Sequence, residues 1–540
     1  MTPIRNPRGL AGLVLAGHVL AGLVLAVLVL AGTPRLGLAQ WGELTAGTEA
    51  SPYLYAMQLR GWWGGESSAI RPVGPRVVQR WMRDSVGAHP WQSRFTPSTR
   101  ALQLLRPTLM VAYVGGDFPW SVNDGALWQG LGVTTAVSMG LTARLGPVSL
   151  RLQPLLFRTE NRGFALDGDT TRGRTPFADA ARPCCIDLPQ RFGRSPYARL
   201  DPGQSELRVE LGPVVAGLST RNISWGPGLR HSLLFTGNGP GVPHLFLGTS
   251  EAWRTPLGRL SGQLLYGKAS PSGVEPAVAV RDRLVTGLVA SWQPPSGRGL
   301  EIGAARLYHK FWPADGFTAH TLLAPFGSLF TDLQYYYGGD ADNQLLSFFA
   351  RWRSEAQGLE VYGEFGRNDR SIDLRDVVVE PEQNSAWLVG FAKSTARSAP
   401  VFWLFRGDIA NGRIGSISRT NRPQVFFYEH APITQGHTQR GQLIGTSLLE
   451  RTGGMELAAD RYAPNGRLGL LVTTRAMPPG NEEGVLSTQA RTQWALEASA
   501  VRFVGAGDVT LRLGWVVDVN RAPGHDGHAA YLSVGSRWGF

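Results

Sequence analysis

Leu131-Gly132-Val133-Thr134-Thr135-Ala136-Val137-Ser138-Met139-Gly140-Leu141-Thr142-Ala143 decides the fold, because its odd positions are apolar except Thr135 and its even ones small or polar. A period of two marks a strand with one face against apolar surroundings. Leu145-Gly146-Pro147 then turns the chain, and Val148, Leu150 and Leu152 alternate with Ser149, Arg151 and Gln153. This is a hairpin.

The same alternation recurs with charge on the second face. Leu207, Val209 and Leu211 alternate with Glu206, Arg208 and Glu210; Leu359, Val361 and Phe365 with Glu360, Tyr362 and Glu364; and Val509, Leu511, Leu513 and Trp515 with Thr510, Arg512 and Gly514. Alternation alone does not say which face looks at a core and which at solvent or lipid. The length of the repeat does, because strands continue from about residue 106 to the C-terminus with no regular helical period, more than one sandwich holds. In the last of them Leu532, Val534, Trp538 and Phe540 share a face, opposite Tyr531, Ser533, Arg537 and Gly539. An amphipathic final strand ending in Phe540 resembles the signal that barrel assembly machinery reads in outer-membrane proteins. The sequence therefore predicts an all-β transmembrane antiparallel barrel with the apolar face towards lipid, and Trp128, Phe157, Trp253, Trp292, Trp352, Trp387, Trp403 and Trp515 are expected in its interfacial girdles. At roughly 24 residues per strand and connection the barrel has about 18 strands.

The chain before the barrel divides in two. Residues 1–39 carry Arg5 and Arg8, then no charge until Arg35, and end in Gly37-Leu38-Ala39, the layout of a secretory signal. Residues 40–105 are expected to form a small helical plug or periplasmic region, with short helices at Tyr53–Leu59, Pro75–Met82 and Ser98–Leu105 between Gly and Pro breaks. The barrel is then 106–540. The stretches 125–143 and 231–250 are uncharged, but Gly, Thr, Ser, Gln, Asn and Pro interrupt both, so neither reads as a membrane helix.

Without Arg5, Arg8 and Arg35 the chain keeps 50 basic against 41 acidic residues, a net charge of about +9. Only Lys268, Lys310 and Lys393 are lysines. The basic residues are scattered among acids in an exported chain, which argues against nucleic-acid binding. Cys184 and Cys185, the only cysteines, are too few for a disulfide framework. They read as an incidental loop pair, with a vicinal disulfide the alternative that an oxidising exterior allows.

Several segments, in this order, resemble the capsule assembly Wzi family. They are Asp124-Gly125-Ala126-Leu127-Trp128-Gln129-Gly130, Asp187-Leu188-Pro189-Gln190-Arg191-Phe192-Gly193 and above all Asn222-Ile223-Ser224-Trp225-Gly226-Pro227-Gly228. Pro243-His244-Leu245-Phe246-Leu247-Gly248-Thr249, Asp342-Asn343-Gln344, Glu360-Val361-Tyr362-Gly363-Glu364 with Asn368-Asp369, and Gln435-Gly436-His437-Thr438 with Arg440-Gly441-Gln442 follow. The resemblance implies an outer-membrane barrel of about 18 strands, helices at its periplasmic end and a lectin-like surface that helps assemble or retain capsular polysaccharide. An acidic surface polysaccharide and outer-membrane lipid are the partners it implies. The alternative on composition alone is a general diffusion porin or saccharide channel.

Two readings compete at 225–228. Glycines let the chain turn beside a large ring and Pro227 fixes the turn; or Trp225 stacks on a pyranose while Asn222, Arg230 and Asn238 bond its hydroxyls or carboxylate. The inward charges Glu206, Arg208, Glu210, Arg351, Glu360, Glu364, Glu497 and Arg512 are expected to neutralise one another and the plug, rather than to form a hydrolytic carboxylate pair. Were 229–235 a strand, His231 and Ser232 would face opposite ways and make no nucleophile–base dyad. His430 and His437 lack the spacing of a metal site and read as lumen or loop hydrogen-bonders. No catalytic residue, metal or cofactor is expected.

Overall fold

The computed structural model describes residues 50–538 apart from several loop stretches, the longest being 328–341, 413–425 and 167–175. The expected signal at 1–39 and the terminal Phe540 lie outside the described residues.

A closed antiparallel barrel of 18 strands occupies most of the chain. In chain order they are β1 (Leu102–Gly116), β2 (Gly132–Leu145), β3 (Val148–Leu152 resumed at Leu155–Thr159), β4 (Tyr197–Asp201 resumed at Glu206–Leu211), β5 (Val214–Ser219) and β6 (His244–Thr249 with Trp253–Thr255). Then come β7 (Gly258–Ala269), β8 (Arg283–Gln293), β9 (Leu300–Phe311), β10 (Asp342–Ser354), β11 (Leu359–Asn368) and β12 (Ser385–Ser394). The last six are β13 (Phe402–Asn411), β14 (Gly453–Ala463), β15 (Gly466–Met477), β16 (Arg491–Val504), β17 (Gly507–Ala522) and β18 (His525–Arg537). β18 closes on β1, with Thr108 opposite Arg537 and Gly116 opposite Ala529.

The alternation sorts the faces as expected. Leu207, Leu211, Val361, Phe365, Leu511 and Leu513 are exposed on the outside, where lipid covers them, whereas Glu206, Glu210, Glu360 and Glu364 are buried inside. Trp253, Trp352, Trp387, Trp403 and Trp515 also face out. Trp128 and Phe157 do not sit in a girdle: both pack inward around one cluster, with Phe192 5.0 Å from Trp128 and Tyr197 5.8 Å from Phe157. The cause is parity, since the outward series Val148, Leu150, Leu152 continues through Leu156, which leaves Phe157 on the inner face.

Short turns such as Gly146–Pro147 and Asn465 lie at one mouth and long loops at the other, the asymmetry of outer-membrane barrels, whose short turns face the periplasm. The described N-terminal residues 50–95 cap the mouth where the short turns lie. They hold α1 (Ala50–Leu59), α2 (Pro75–Arg83) and α3 (Gln92–Phe95). Of the helix expected at Ser98–Leu105, residues 98–100 lie outside the described residues and 102–105 are instead the start of β1, because Leu102 and Leu104 alternate outward into lipid. The cap is bolted to four turns: Arg76 donates to Gly146 O at 3.4 Å, Trp91 Nε1 to Ala463 O at 2.7 Å, Arg94 to Gly505 O at 2.7 Å, and His89 bonds Pro400 O at 2.9 Å. Aromatic packing seals it, with Trp91 edge-on to Tyr462 and Phe503 and Arg60 sandwiched between Trp62 and Phe402. Among the described residues no helix is long and apolar enough to cross a membrane. The barrel crosses it, and the protein is one of the bacterial outer membrane.

Candidate functional site in the lumen loops

Loops from the outer mouth turn inward and fill the lumen. The chain 220–243 descends until Ser224 and Trp225 pair with Arg71 and Ile70 of the N-terminal region. Gly226 N–H extends this contact to Ala69 O at 2.9 Å. Arg71 ties the turn from below, donating to Ser224 Oγ at 2.6 Å and to the carbonyls of Gly226, Gly228 and Leu229. Burial lowers this guanidinium's pKa to about 10, and the ring of carbonyls still accepts its charge.

The Trp-Gly-Pro-Gly run is built for packing. Gly226 has φ 141°, and a Cβ there would lie 2.1 Å from Glu364 Oε1; at Gly228 it would lie 1.8 Å from His231 O. Trp225 is fully buried. Its Nε1 donates to Gln263 Oε1 at 2.9 Å, its ring stands edge-on to Phe235 at 5.1 Å, and the wall gives it room at Gly287, where a Cβ would come within 2.8 Å of the indole. The mechanical reading of the motif accounts for every one of these contacts. The indole face that a sugar would need is covered.

The other expected ligand residues are spread along the same loop. Asn222 accepts from Gln204 at 2.7 Å and donates to Gly239 O at 2.7 Å; Asn238 accepts from Asn123 N–H at 2.8 Å and donates to Leu443 O at 3.0 Å. These two asparagines join the loops at 117–131, 220–243 and 438–443. Arg230 faces the opposite wall, 2.7 Å from Glu456, and keeps 30% of its side chain exposed. Asn222, Trp225, Arg230 and Asn238 therefore do not converge on one pocket.

Sequence reasoning expected the inward charges to pair but did not give their partners. Arg353 meets Glu360 at 2.7 Å, Arg208 meets Glu210 at 2.7 Å, and Arg351 pairs with Glu301. Arg512 binds Glu497 at 2.8 Å and Asp124 of a lumen loop at 3.0 Å. Glu364 accepts from Leu233 N–H at 2.8 Å. The acids and bases neutralise one another and the plug, as expected of a lumen. His437, stacked on Tyr428 at 5.2 Å, bonds His309 at 2.9 Å and Leu234 O at 2.5 Å, and burial pushes its pKa down to about 3. His231 turns to Thr446 at 2.8 Å and Glu456 at 3.2 Å while Ser232 turns to Ser224; the segment is loop rather than strand, yet the pair diverges. Cys184 and Cys185 are disulfide-bonded, not an incidental free pair. Among the described residues no three His, Cys, Asp or Glu side chains gather as a metal site.

One signal for these residues was present. Asp124 holds Arg512 and Gln129, Asp187 accepts from Ser272 N–H at 2.6 Å, and Gln442 donates to the carbonyls of Gly125 and Leu127 at 3.1 and 3.2 Å. The segments that carry the family resemblance are the ones that lock loop to loop.

No family model matches the chain, and no curated protein matches it. Among solved structures it is similar to Wzi, described as an outer-membrane protein involved in group 1 capsule assembly in Escherichia coli and a carbohydrate-binding β-barrel. The TM-score is 0.63 at 13% identity, over 92% of this chain and 100% of that one. A BenF-like porin from Pseudomonas fluorescens matches at TM-score 0.41 and 10% identity, over 81% and 99% of the two chains. OccAB2 of Acinetobacter baumannii matches at 0.41 and 11%, over 81% and 98%.

Proposed function

We propose that this barrel is a lectin-like protein that helps assemble or retain capsular polysaccharide at the cell surface, with no catalytic role. The observation that carries the reading is the occupied lumen: a loop from the outer mouth is hydrogen-bonded to the cap from the periplasmic mouth, at Trp225 and Ile70. A diffusion porin needs a water-filled path through that space. A holding protein needs only a rigid outer face, which locked loops supply. The likeness to Wzi over the length of both chains supports the same reading. In it residues 1–39 are removed as a signal, 40–105 form the plug region, the barrel assembly machinery inserts 106–540, and an acidic polysaccharide is the ligand. Of Asn222, Trp225, Arg230 and Asn238, only Arg230 and Asn238 are not buried. Deleting the gene tests the proposal: polysaccharide should be made and exported but shed into the medium. Polysaccharide that stays on the cell in normal amount would overturn it.

A further inference from the structure

The barrel wall has a notch on its outer half. Glu206, Ser219, His244 and Gly267 are register neighbours on β4, β5, β6 and β7. Above this row β5 and β6 have both ended, while β4 resumes and runs to Tyr197. The stagger of a tilted barrel accounts for only about one residue per strand. Three interstrand spacings of about 4.8 Å leave an opening roughly 14 Å wide.

The opening lies at lipid depth. Leu109, Val137, Leu156 and Leu200 are neighbours across β1 to β4 on the outer face, and the row stops at Leu200, 68% exposed. The segment Tyr197–Asp201 is paired with β3 on one edge, and among the described residues its other edge has no backbone partner. A free edge in lipid is costly unless polar groups meet it. Loop chain closes the gap from inside, and Arg440 bolts it: its N–H donates to Ser270 O beyond β7 at 2.8 Å and its guanidinium reaches Asp201 of β4 at 3.1 Å. Arg440 still has 30% of its side chain exposed.

The surroundings are amphipathic from bottom to top. Leu218 and Leu245, paired with each other and 52% and 59% exposed, form the floor, and Leu200 forms the side. Half-buried Thr220 and Arg440 line the gap, and Arg158, paired with Ala198 on the outer face, is exposed, while Glu160 two residues along is taken by Arg162 at 2.7 Å. We propose that the notch binds a phosphorylated glycolipid of the outer leaflet. Its acyl chains lie on the three leucines, its phosphate sits between Arg158 and Arg440, and its hydroxyls meet the free edge of β4. A strand from a second copy is a poorer occupant, since Pro202 limits the edge to five residues. The proposal needs only the barrel in its membrane and does not depend on the saccharide reading.

The test places a photo-crosslinking residue at Leu200, or at Leu470 on the far wall, in protein reconstituted into nanodiscs of phosphatidylcholine doped with lipid A. Crosslinking to lipid A should be several-fold higher at Leu200, fall to the Leu470 level with lipid A stripped of phosphate, and fall likewise in Arg158→Glu and Arg440→Glu. Arg440→Lys should keep most of it. Arg158 is exposed, so its variant reports binding even where Arg440→Glu fails to fold, with heat-modifiable migration as the check. Equal crosslinking at both positions, indifference to phosphate, or a crosslink to a second copy overturns the proposal. Specific crosslinking in a protein whose deletion leaves capsule untouched would uphold it while the capsule reading fails.

Discussion

Ile70 and Trp225 sit opposite each other in a two-residue antiparallel ladder, so a segment from one mouth of the barrel is hydrogen-bonded to a loop from the other. The contact is the narrow point of the plug. Arg71 makes it firm, because one guanidinium serves Ser224 Oγ and three carbonyls of the same turn.

Arg71→Ala should therefore loosen the plug without unfolding the wall, and deletion of 52–95, which stops short of β1, should open it. Both proteins are expected to insert into planar bilayers. The full-length protein should be silent, the Arg71 variant should flicker, and the deletion should conduct steadily. A silent deletion variant that inserts normally would mean that the cap does not seal the lumen.

Trp225→Ala leaves a hole against Phe235 and Gly287 and should cost about 3–5 kcal/mol. Gly226→Ala should cost more than about 1 kcal/mol from its positive φ, before counting the approach to Glu364. Unfolding in detergent followed by the shift in gel migration measures both. Under the stacking alternative Trp225→Ala would instead lower polysaccharide binding with little change in stability.

Acid should weaken the loop packing through His437. Its folded pKa of about 3 lies below the usual 6.5, so between these values the unfolded chain binds the extra proton. The stability this group contributes is complete above about 6.5 and drains away as pH falls towards 3. The temperature of the gel shift should drop across that window, and His437→Gln should flatten the slope. Equal slopes in both proteins would assign the acid sensitivity to other groups.

Binding to an acidic polysaccharide should weaken with salt. At 0.15 M the screening length is about 8 Å, so single exposed arginines bind weakly and many repeats of the polymer must add. Titrating purified protein with native capsule, and with capsule whose carboxyl groups have been reduced, checks this. Equal, salt-independent binding to both would remove the electrostatic mechanism, and binding to neither would favour the porin.

The wall was legible because lipid and lumen impose opposite chemistry on alternate residues, and that constraint is local. Val137, Leu207 and Trp515 announce their side within a few neighbours. The plug was not legible in this way. Trp225 is buried by Phe235 and by Gly287 of a distant strand, and Asn238 bonds Leu443 across 205 positions, so nothing beside either residue tells a packing role from a binding one. The notch was hidden for the same reason: Thr220-Arg221-Asn222 mark the end of β5 in the sequence, but only the register of its neighbours reveals that the wall goes on without it.

The pairing of Thr108 with Arg537 makes the wall a ring that is complete without any residue of its filling. Ile70 and Trp225 approach each other from opposite mouths, so each can enter along the axis of a ring already shut. Closing the wall and docking the filling are thus separate events, and a fault in the second leaves the first intact.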